Sequence, residues 1–214
     1  MQIEIWSDVM CPFCYIGKRR FEKALSGFAH KDEVELVWKS FRLNPQLKTD
    51  PSKNVNHYLS EIKGWPLEQA KAMNARVTEM ARQEGLEYNF DKAIVANSFD
   101  AHRLVQLAKK HDLGDAMEER LFRAYFTEGA NTADHATLTR LGAEIGLEES
   151  AVDALWKTNL FAEDVHRDEE EARQLGIRGV PFFLFARRYA VSGAQDSAVF
   201  LQALETAYAE SKKT

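Results

Sequence analysis

Residues 2–14 open the chain with an alternating segment and a pair of cysteines: Gln2-Ile3-Glu4-Ile5-Trp6-Ser7-Asp8-Val9-Met10-Cys11-Pro12-Phe13-Cys14. Polar and apolar residues alternate over 2–6, which predicts a half-buried strand. A helix is predicted over 12–26, because Pro12 suits the first helical position and apolar residues recur after it. Alternation returns over 34–41, so the chain begins strand–helix–strand, an order that predicts a right-handed parallel crossover.

Cys11 and Cys14 are the only cysteines among the 214 residues. This count excludes a disulfide-dense scaffold, and in a reducing compartment a close pair is more often catalytic or metal-binding than structural. When two cysteines lie three positions apart at the start of a helix, the first helical turn brings their sulfurs close enough to form a disulfide. The unpaired amides and the dipole at the start of a helix stabilise a thiolate on the first cysteine. We therefore predict that Cys11 is the nucleophile and Cys14 the resolving thiol.

Two other interpretations of the cysteine pair stay open. A structural zinc site normally needs four ligands, and the histidines that could complete one are scattered along the chain: His30, His57, His102, His111, His135 and His166. The pair could also be buried and inert. The position of the cysteines between a predicted strand and a predicted helix favours redox chemistry over both.

The composition is that of an ordinary globular protein, with 45% hydrophobic and 29% charged residues. The net charge is −5 and the basic residues are scattered, so the sequence gives no indication of a basic surface that binds nucleic acid. No apolar run approaches the roughly 20 residues that a membrane span requires. The first residues also lack the positive start and apolar stretch of a secretory signal. We expect a cytoplasmic protein that binds neither nucleic acid nor membrane.

Helical periodicity dominates the middle of the chain, and strand signals return near its end. Helices are predicted over 66–84, 99–111, 115–127, 134–145, 150–158 and 162–175. A hairpin follows over 182–185 and 189–191, and a last helix over 196–209. This order predicts an α/β, thioredoxin-like fold in which a large all-helical insertion separates an N-terminal βαβ unit from a C-terminal ββα unit. The predicted segments are an N-terminal part (1–48), the insertion (49–160) and a C-terminal part with the proline loop and hairpin (161–214).

Gly179-Val180-Pro181-Phe182 precedes the predicted hairpin. A bond before proline adopts the cis form far more readily than other peptide bonds, and we predict a cis Pro181 beside the sulfurs. The backbone of Val180 could then pair with an extended substrate as an added strand. Alternatively, Pro181 only marks the start of the strand.

These motifs together resemble the thioredoxin-fold oxidoreductases of the DsbA family, and more narrowly its FrnE-like cytoplasmic branch. The resemblance covers essentially the whole chain and rests on the ordered set Ser7 to Lys18, Phe41-Arg42-Leu43-Asn44-Pro45, Asn97 to Leu104, Leu121 to Phe126, Gly179-Val180-Pro181 and Gly193-Ala194-Gln195. It implies a thioredoxin core with a helical insertion, and thiol–disulfide oxidoreductase or isomerase activity.

The resemblance also implies roles for individual residues. It assigns Cys11 and Cys14 as the redox pair and Pro181 as the cis-proline of the active site. Phe13 stands where this branch commonly has tryptophan, so the dipeptide that tunes the redox potential differs in size. We expect four residues to contact substrate: Pro12, Phe13, Val180 and, in the predicted helical block, His102. His102 could instead be a helix histidine with a purely structural role.

We expect the other charged residues near the cysteines to have structural roles. Asp8 is expected to cap a turn, the alternative being that its carboxylate raises the pKa of the Cys11 thiol. Lys18, Arg19 and Arg20 are expected to form a solvated helix face.

The expected partner is a polypeptide or small thiol that carries a thiol or disulfide, and no metal or organic cofactor is expected. Glutathione is one candidate exchange partner, and the sequence also allows a homodimer. A rival function is a glutathione-dependent enzyme on the same scaffold, like kappa-class transferases or 2-hydroxychromene-2-carboxylate isomerases, which typically have serine at the position of Cys11. A third is a chaperone or polypeptide-binding module without redox chemistry.

Overall fold

The computed structural model describes residues 1–212, so the last two residues of the predicted C-terminal segment lie outside it. The chain divides into two compact units. Unit 1 contains Met1–Leu43 together with the chain from Glu163 onward, and unit 2 contains Asn44–Ala162. Within the described residues, no helix has the length and apolar character needed to cross a membrane.

Unit 1 is built on a four-stranded mixed sheet. Its strands are β1 (Gln2–Ser7), β2 (Glu35–Ser40), β5 (Phe182–Phe185) and β6 (Tyr189–Ser192), in the order β2-β1-β5-β6. β1 pairs parallel with β2, while β5 pairs antiparallel with both β1 and β6. Three helices complete the unit: α1 (Pro12–Gly27), most of α8 (Ala162–Gln174) and α9 (Ser197–Ser211), with a 3-10 turn at Lys31–Glu33.

The two faces of this sheet have different cores. On one face, Ile3 and Ile5 of β1 lie beside Phe185 and Phe183 of β5. Phe21 of α1 packs on Phe183 with 5.4 Å between ring centroids, and Phe200 of α9 completes the aromatic cluster. On the other face, Trp6 packs with three other buried residues, Ala172, Ile177 and Leu184. Because alternate residues of a strand point to opposite faces, the odd-numbered residues of β1, which end at Ser7, share the face of α1.

Unit 2 contains the remaining elements. Its helices are α2 (Val55–Lys63), α3 (Leu67–Gln83), α4 (Phe99–Lys109), α5 (Gly114–Phe122), α6 (His135–Glu144) and α7 (Glu149–Lys157). A π-helical segment (Arg123–Glu128) follows α5. Two short strands, β3 (Asp50–Asn54) and β4 (Ile94–Val95), form an antiparallel pair.

The predicted strand–helix–strand start, hairpin and last helix are confirmed, but the insertion differs from prediction in three ways. It is not all-helical, because β3 and β4 pair within it. The single helix predicted over 115–127 is an α-helix to Phe122 followed by π-helical turns. The helix α2 was not predicted, although Asn54 caps it by accepting a hydrogen bond from the His57 amide at 3.1 Å and Gly64 ends it at a positive φ.

Candidate active site

The two cysteines lie at the junction of β1 and α1. Cys11 is the residue that caps the start of α1, Pro12 follows as its first residue, and Cys14 lies one turn inside. The Cys11 amide donates to the Asp8 carbonyl at 2.9 Å, and the Cys14 amide donates to the Cys11 carbonyl at 3.0 Å. This tight turn places Cys11 beside the unpaired backbone amides of the first turn of α1.

Both thiols are reduced and largely shielded from solvent, with 3% of Cys11 and 1% of Cys14 exposed. Burial raises the pKa of the Cys14 thiol well above its ordinary value, and the neighbouring Cys11 raises it further. Two groups at the end of β1, the Asp8 backbone amide and the Ser7 hydroxyl, act in the opposite direction. The net effect keeps Cys14 protonated in the reduced protein, as expected for a thiol that reacts second.

Asp8 is fully buried, and its carboxylate holds the loops around the cysteines together. One oxygen accepts a hydrogen bond from the Leu43 amide at 2.7 Å, and the other accepts a longer one from the Met10 amide at 3.4 Å. The turn-capping role predicted for Asp8 is therefore confirmed, and the carboxylate also binds the segment after β2.

The loop before β5 approaches the cysteines from the other side. The Val180–Pro181 peptide bond is cis, as predicted. The Cys11 thiol donates a hydrogen bond to the Val180 carbonyl, with 3.5 Å between sulfur and oxygen. Pro181 is buried, whereas Val180 is half-buried. The structure thus places Cys11, Cys14, Val180 and Pro181 in one site.

Phe13 and Pro12 form the surface between the cysteines. Phe13 is 39% exposed, and Pro12 is half-buried. Leu43 of the same unit is also exposed. Contiguous exposed apolar surface is typical of contact sites.

His102 lies on α4 in unit 2, and its side chain is fully buried. A buried imidazole offers no surface to a substrate. The burial of His102 therefore does not support its predicted substrate-binding role, which stays a prediction. Among residues 1–212, no group of three or more His, Cys, Asp and Glu side chains is arranged to hold a metal ion.

The prediction that Lys18, Arg19 and Arg20 form a solvated helix face is wrong for Lys18 and Arg20. Lys18 is only 2% exposed and forms an ion pair with Glu22, while the Arg20 side chain is 14% exposed and donates to the Ala194 carbonyl at 2.8 Å. Arg19 is the more open residue and contacts Glu22 and Tyr15 of its own helix. Helix periodicity could not show the burial of Lys18 or the loop partner of Arg20.

Gly17 also contributes to the site in a way that the sequence pattern did not reveal. A β-carbon at Gly17 would lie 2.9 Å from Cγ of Pro181, closer than such contacts normally occur. The absence of a side chain therefore lets α1 and the proline loop approach each other. The only sequence signal was a glycine inside a predicted helix, where glycine costs stability unless packing requires it.

Comparison with known proteins matches residues 2–205 to the family described as DSBA-like thioredoxin domain. The protein YwbO of Bacillus subtilis (strain 168) is 30% identical over 213 residues, covering 95% of this chain and 96% of YwbO. These matches extend over both units and confirm the predicted fold class.

Solved structures give the same result. The crystal structure of probable DsbA oxidoreductase SCO1869 from Streptomyces coelicolor is 41% identical, with a TM-score of 0.93 over 98% of this chain and 91% of that one. Cytosolic disulfide reductase DsbM from Pseudomonas aeruginosa, solved with GSH, is 22% identical, with a TM-score of 0.63 over 100% of this chain and 98% of that one. At this identity, the likeness to DsbM concerns the fold alone.

Proposed function

Because the chain belongs to the DSBA-like thioredoxin domain family, we propose that it is a thiol–disulfide oxidoreductase whose redox centre is the Cys11–Cys14 dithiol. One observation carries this proposal. Cys11 caps the start of α1, with its thiol on the Val180 carbonyl, while Cys14 is buried one turn further along the same helix. A nucleophile and a resolving thiol need this arrangement, whereas a structural cysteine pair does not.

The proposed exchange has two steps when a substrate disulfide is reduced. The Cys11 thiolate attacks one substrate sulfur, so that a Cys11–substrate disulfide forms, the substrate disulfide breaks, and the leaving thiolate takes up a proton. Cys14 then loses its proton to solvent and attacks the Cys11 sulfur, forming the Cys11–Cys14 disulfide and releasing the second substrate thiolate. Two electrons pass from the dithiol to the substrate, and the reverse sequence oxidises a substrate dithiol.

The different environments of the two thiols support this order of events. Cys11 lies at the start of α1, and its thiol faces the proline loop through the Val180 carbonyl. Burial raises the pKa of Cys14, so this thiol stays protonated until the mixed disulfide brings a reactive sulfur next to it. Cys14 therefore acts second, and a Cys11 adduct should accumulate whenever Cys14 is removed.

The proposed substrate is a polypeptide, or a small thiol such as glutathione, that exchanges with Cys11. In this proposal the backbone of the half-buried Val180 pairs with an extended chain, and the exposed Phe13 and the neighbouring Pro12 contact its side chains. That DsbM was solved with GSH supports glutathione as an exchange partner. We further propose a cytosolic location, like that of DsbM, and catalysis by the dithiol without a metal or organic cofactor.

Insulin reduction with dithiothreitol as the electron source tests this function. The wild-type protein should accelerate precipitation of the insulin B chain, and Cys11→Ser should abolish the acceleration. Cys14→Ser should form a covalent adduct with the substrate at Cys11. Recovery of scrambled ribonuclease, measured with the same variants, tests isomerase activity.

The two rival functions predict different results in the same experiments. A glutathione-dependent enzyme of the carboxylate-isomerase kind would bind unmodified glutathione tightly in calorimetry without exchanging it, and Cys11→Ser would keep that binding. A chaperone would suppress aggregation equally well without either cysteine. Either result, with no insulin reduction by the wild type, would overturn the proposed oxidoreductase.

A further inference from the structure

A second loop of unit 1 holds the proline loop in place. This loop follows β6 and contains Gly193 and Ala194. The Gly193 amide donates to the Pro181 carbonyl at 2.8 Å, and Gly193 itself adopts a φ of 81°. The position of the Val180–Pro181 backbone therefore depends on where this second loop lies.

The helix that carries the cysteines contacts the second loop through two residues three positions apart, Gly17 and Arg20. Residues with this spacing lie on the same helix face. A β-carbon at Gly17 would be 3.5 Å from Cα of Ala194, so the helix backbone packs directly on the loop. Arg20 donates to the Ala194 carbonyl at 2.8 Å, and its guanidinium lies 3.5 Å from the Asp196 carboxylate.

These contacts form a continuous path from Arg20 to the reactive sulfur. Arg20 fixes Ala194, the adjacent Gly193 fixes the Pro181 carbonyl, and the Val180 carbonyl accepts the hydrogen bond from the Cys11 thiol. The same nitrogen, Nη1 of Arg20, makes both contacts, and the rigid planar guanidinium holds it in place better than the flexible side chain of lysine holds its ammonium. The Arg20 side chain is also mostly buried, so its hydrogen bond is not freely exchanged with water.

We propose that Arg20 is a positioning residue for polypeptide substrates, because it fixes the loop after β6 and, through it, the Val180 backbone that pairs with the substrate. The role in substrate pairing rests on the proposed function. Arg20 acts two turns along the helix from Cys14 and not on the sulfurs themselves. Loss of Arg20 should therefore weaken recognition of an extended chain far more than it changes the reactivity of Cys11 toward a small disulfide.

The test compares Arg20→Met with Arg19→Met, a matched control on the same helix whose arginine contacts Glu22 and Tyr15. Arg20→Met should raise the KM for insulin by about 3- to 30-fold, less than the roughly 10- to 150-fold that full loss of a charged hydrogen bond converts to, because Arg20 acts through the loop. The rate at which Cys11 reacts with the small disulfide 5,5′-dithiobis(2-nitrobenzoate) should stay within about twofold. The KM of Arg20→Lys for insulin should lie between those of the wild type and Arg20→Met. The KM of Arg19→Met should equal that of the wild type.

Amide hydrogen exchange at Gly193 tests the positioning role without any enzyme assay. In Arg20→Met, the Gly193 amide should exchange at least about tenfold faster because the loop opens more readily, and in Arg19→Met it should not change. If the wild type reduces no disulfide, the proposed function fails, and this measurement still decides whether Arg20 positions the loop.

Three results would overturn the proposal. The first is an unchanged KM for insulin in folded Arg20→Met, and the second is an equal loss of activity toward insulin and toward the small disulfide. The third is unchanged exchange at Gly193. If Arg20→Met does not fold, Arg20→Lys decides in its place: a KM for insulin raised at least about twofold at an unchanged small-disulfide rate supports the proposal, and an unchanged KM overturns it.

Discussion

The Cys11 thiol donates a hydrogen bond to the backbone carbonyl of Val180, across 3.5 Å. This contact joins two segments that lie 169 residues apart in the chain. It requires both the turn after β1, which holds Cys11 at the start of α1, and the loop before β5, which presents the Val180 carbonyl. The first cysteine and the backbone that we propose pairs with substrate are thereby brought into one site.

Removal of Cys14 should change how the stability of the reduced protein depends on pH. Below about pH 8.5 the thiol is protonated in both the folded and unfolded states, so pH has no effect through Cys14. Above that pH the unfolded chain releases the proton, whereas burial keeps the folded-state pKa of Cys14 raised. The free energy of unfolding should then fall by up to about 1.4 kcal/mol per pH unit.

Urea titrations of reduced wild type and Cys14→Ala between pH 7 and pH 10.5 measure this effect. The loss above about pH 8.5 should be smaller in Cys14→Ala, because the variant lacks the group. Parallel stability curves for the two proteins would contradict the raised pKa of Cys14.

Gly17→Ala should destabilise the protein, since the new β-carbon would lie 2.9 Å from Cγ of Pro181. Relieving this contact requires movement of α1 or the proline loop, at a cost of about 1–3 kcal/mol. Gly27→Ala is the matched control, because a β-carbon at the end of the same helix meets nothing within 4 Å. Chemical unfolding of both variants checks the prediction, and an equal effect of the two substitutions would refute the close packing.

Asp8→Ala should lower the free energy of unfolding by about 1–3 kcal/mol, because the Leu43 amide loses its acceptor. Asp8→Asn keeps one carbonyl oxygen and should cost less. Urea unfolding of the two variants measures the difference. If alanine were no more costly than asparagine, the carboxylate would not be the group that holds these loops.

Lys39→Met should also be destabilising, by about 3 kcal/mol. The ammonium lies 2.9 Å from Glu171, 3.2 Å from Asp168 and 3.7 Å from Glu4, and the last two carboxylates are almost completely buried. Methionine keeps the apolar stem but leaves these carboxylates with less compensating charge.

The cost of Lys39→Met should depend on pH. Burial alone would raise the pKa of Glu171, but hydrogen bonds from Arg187 and Lys39 hold it below its ordinary value. The stabilisation of Glu171 by Lys39 is therefore complete above about pH 4.5 and lost as the pH falls and the Glu171 carboxylate takes up its proton. A cost that stays constant down to pH 3 would show that lost packing, and not charge, is responsible.

Short sequence patterns were sufficient to predict those parts of the site that are formed by residues close together in the chain. The cysteines at the strand-to-helix turn, Pro12 at the helix start and the proline before β5 each carry a recognisable pattern, and the structure shows all three. Helix α2 was predictable as well, since Val55, Tyr58, Leu59 and Ile62 follow helical spacing between the cap Asn54 and Gly64.

The contacts that hold the site together could not be predicted in this way, because they join residues far apart in sequence. Asp8 binds the amide of Leu43, and Arg20 binds the carbonyl of Ala194, 174 residues away. Lys18 illustrates the same limit: helix periodicity gives the direction of a side chain but does not show whether another element covers it. The strand β3 was missed because Asp50–Asn54 is a polar segment with weak strand propensity, and β4 was missed because it is only two residues long.

The central claim is that Cys11 and Cys14 form and break a disulfide during exchange. Its most direct test is equilibration of the protein in glutathione redox buffers, with the disulfide fraction read by acid quenching, alkylation and mass spectrometry. The account predicts a single two-electron transition with a potential between about −270 mV, where the protein would act as a reductase, and about −120 mV, where it would act as an oxidant. Thiols that remain unpaired in every buffer across this range would contradict it.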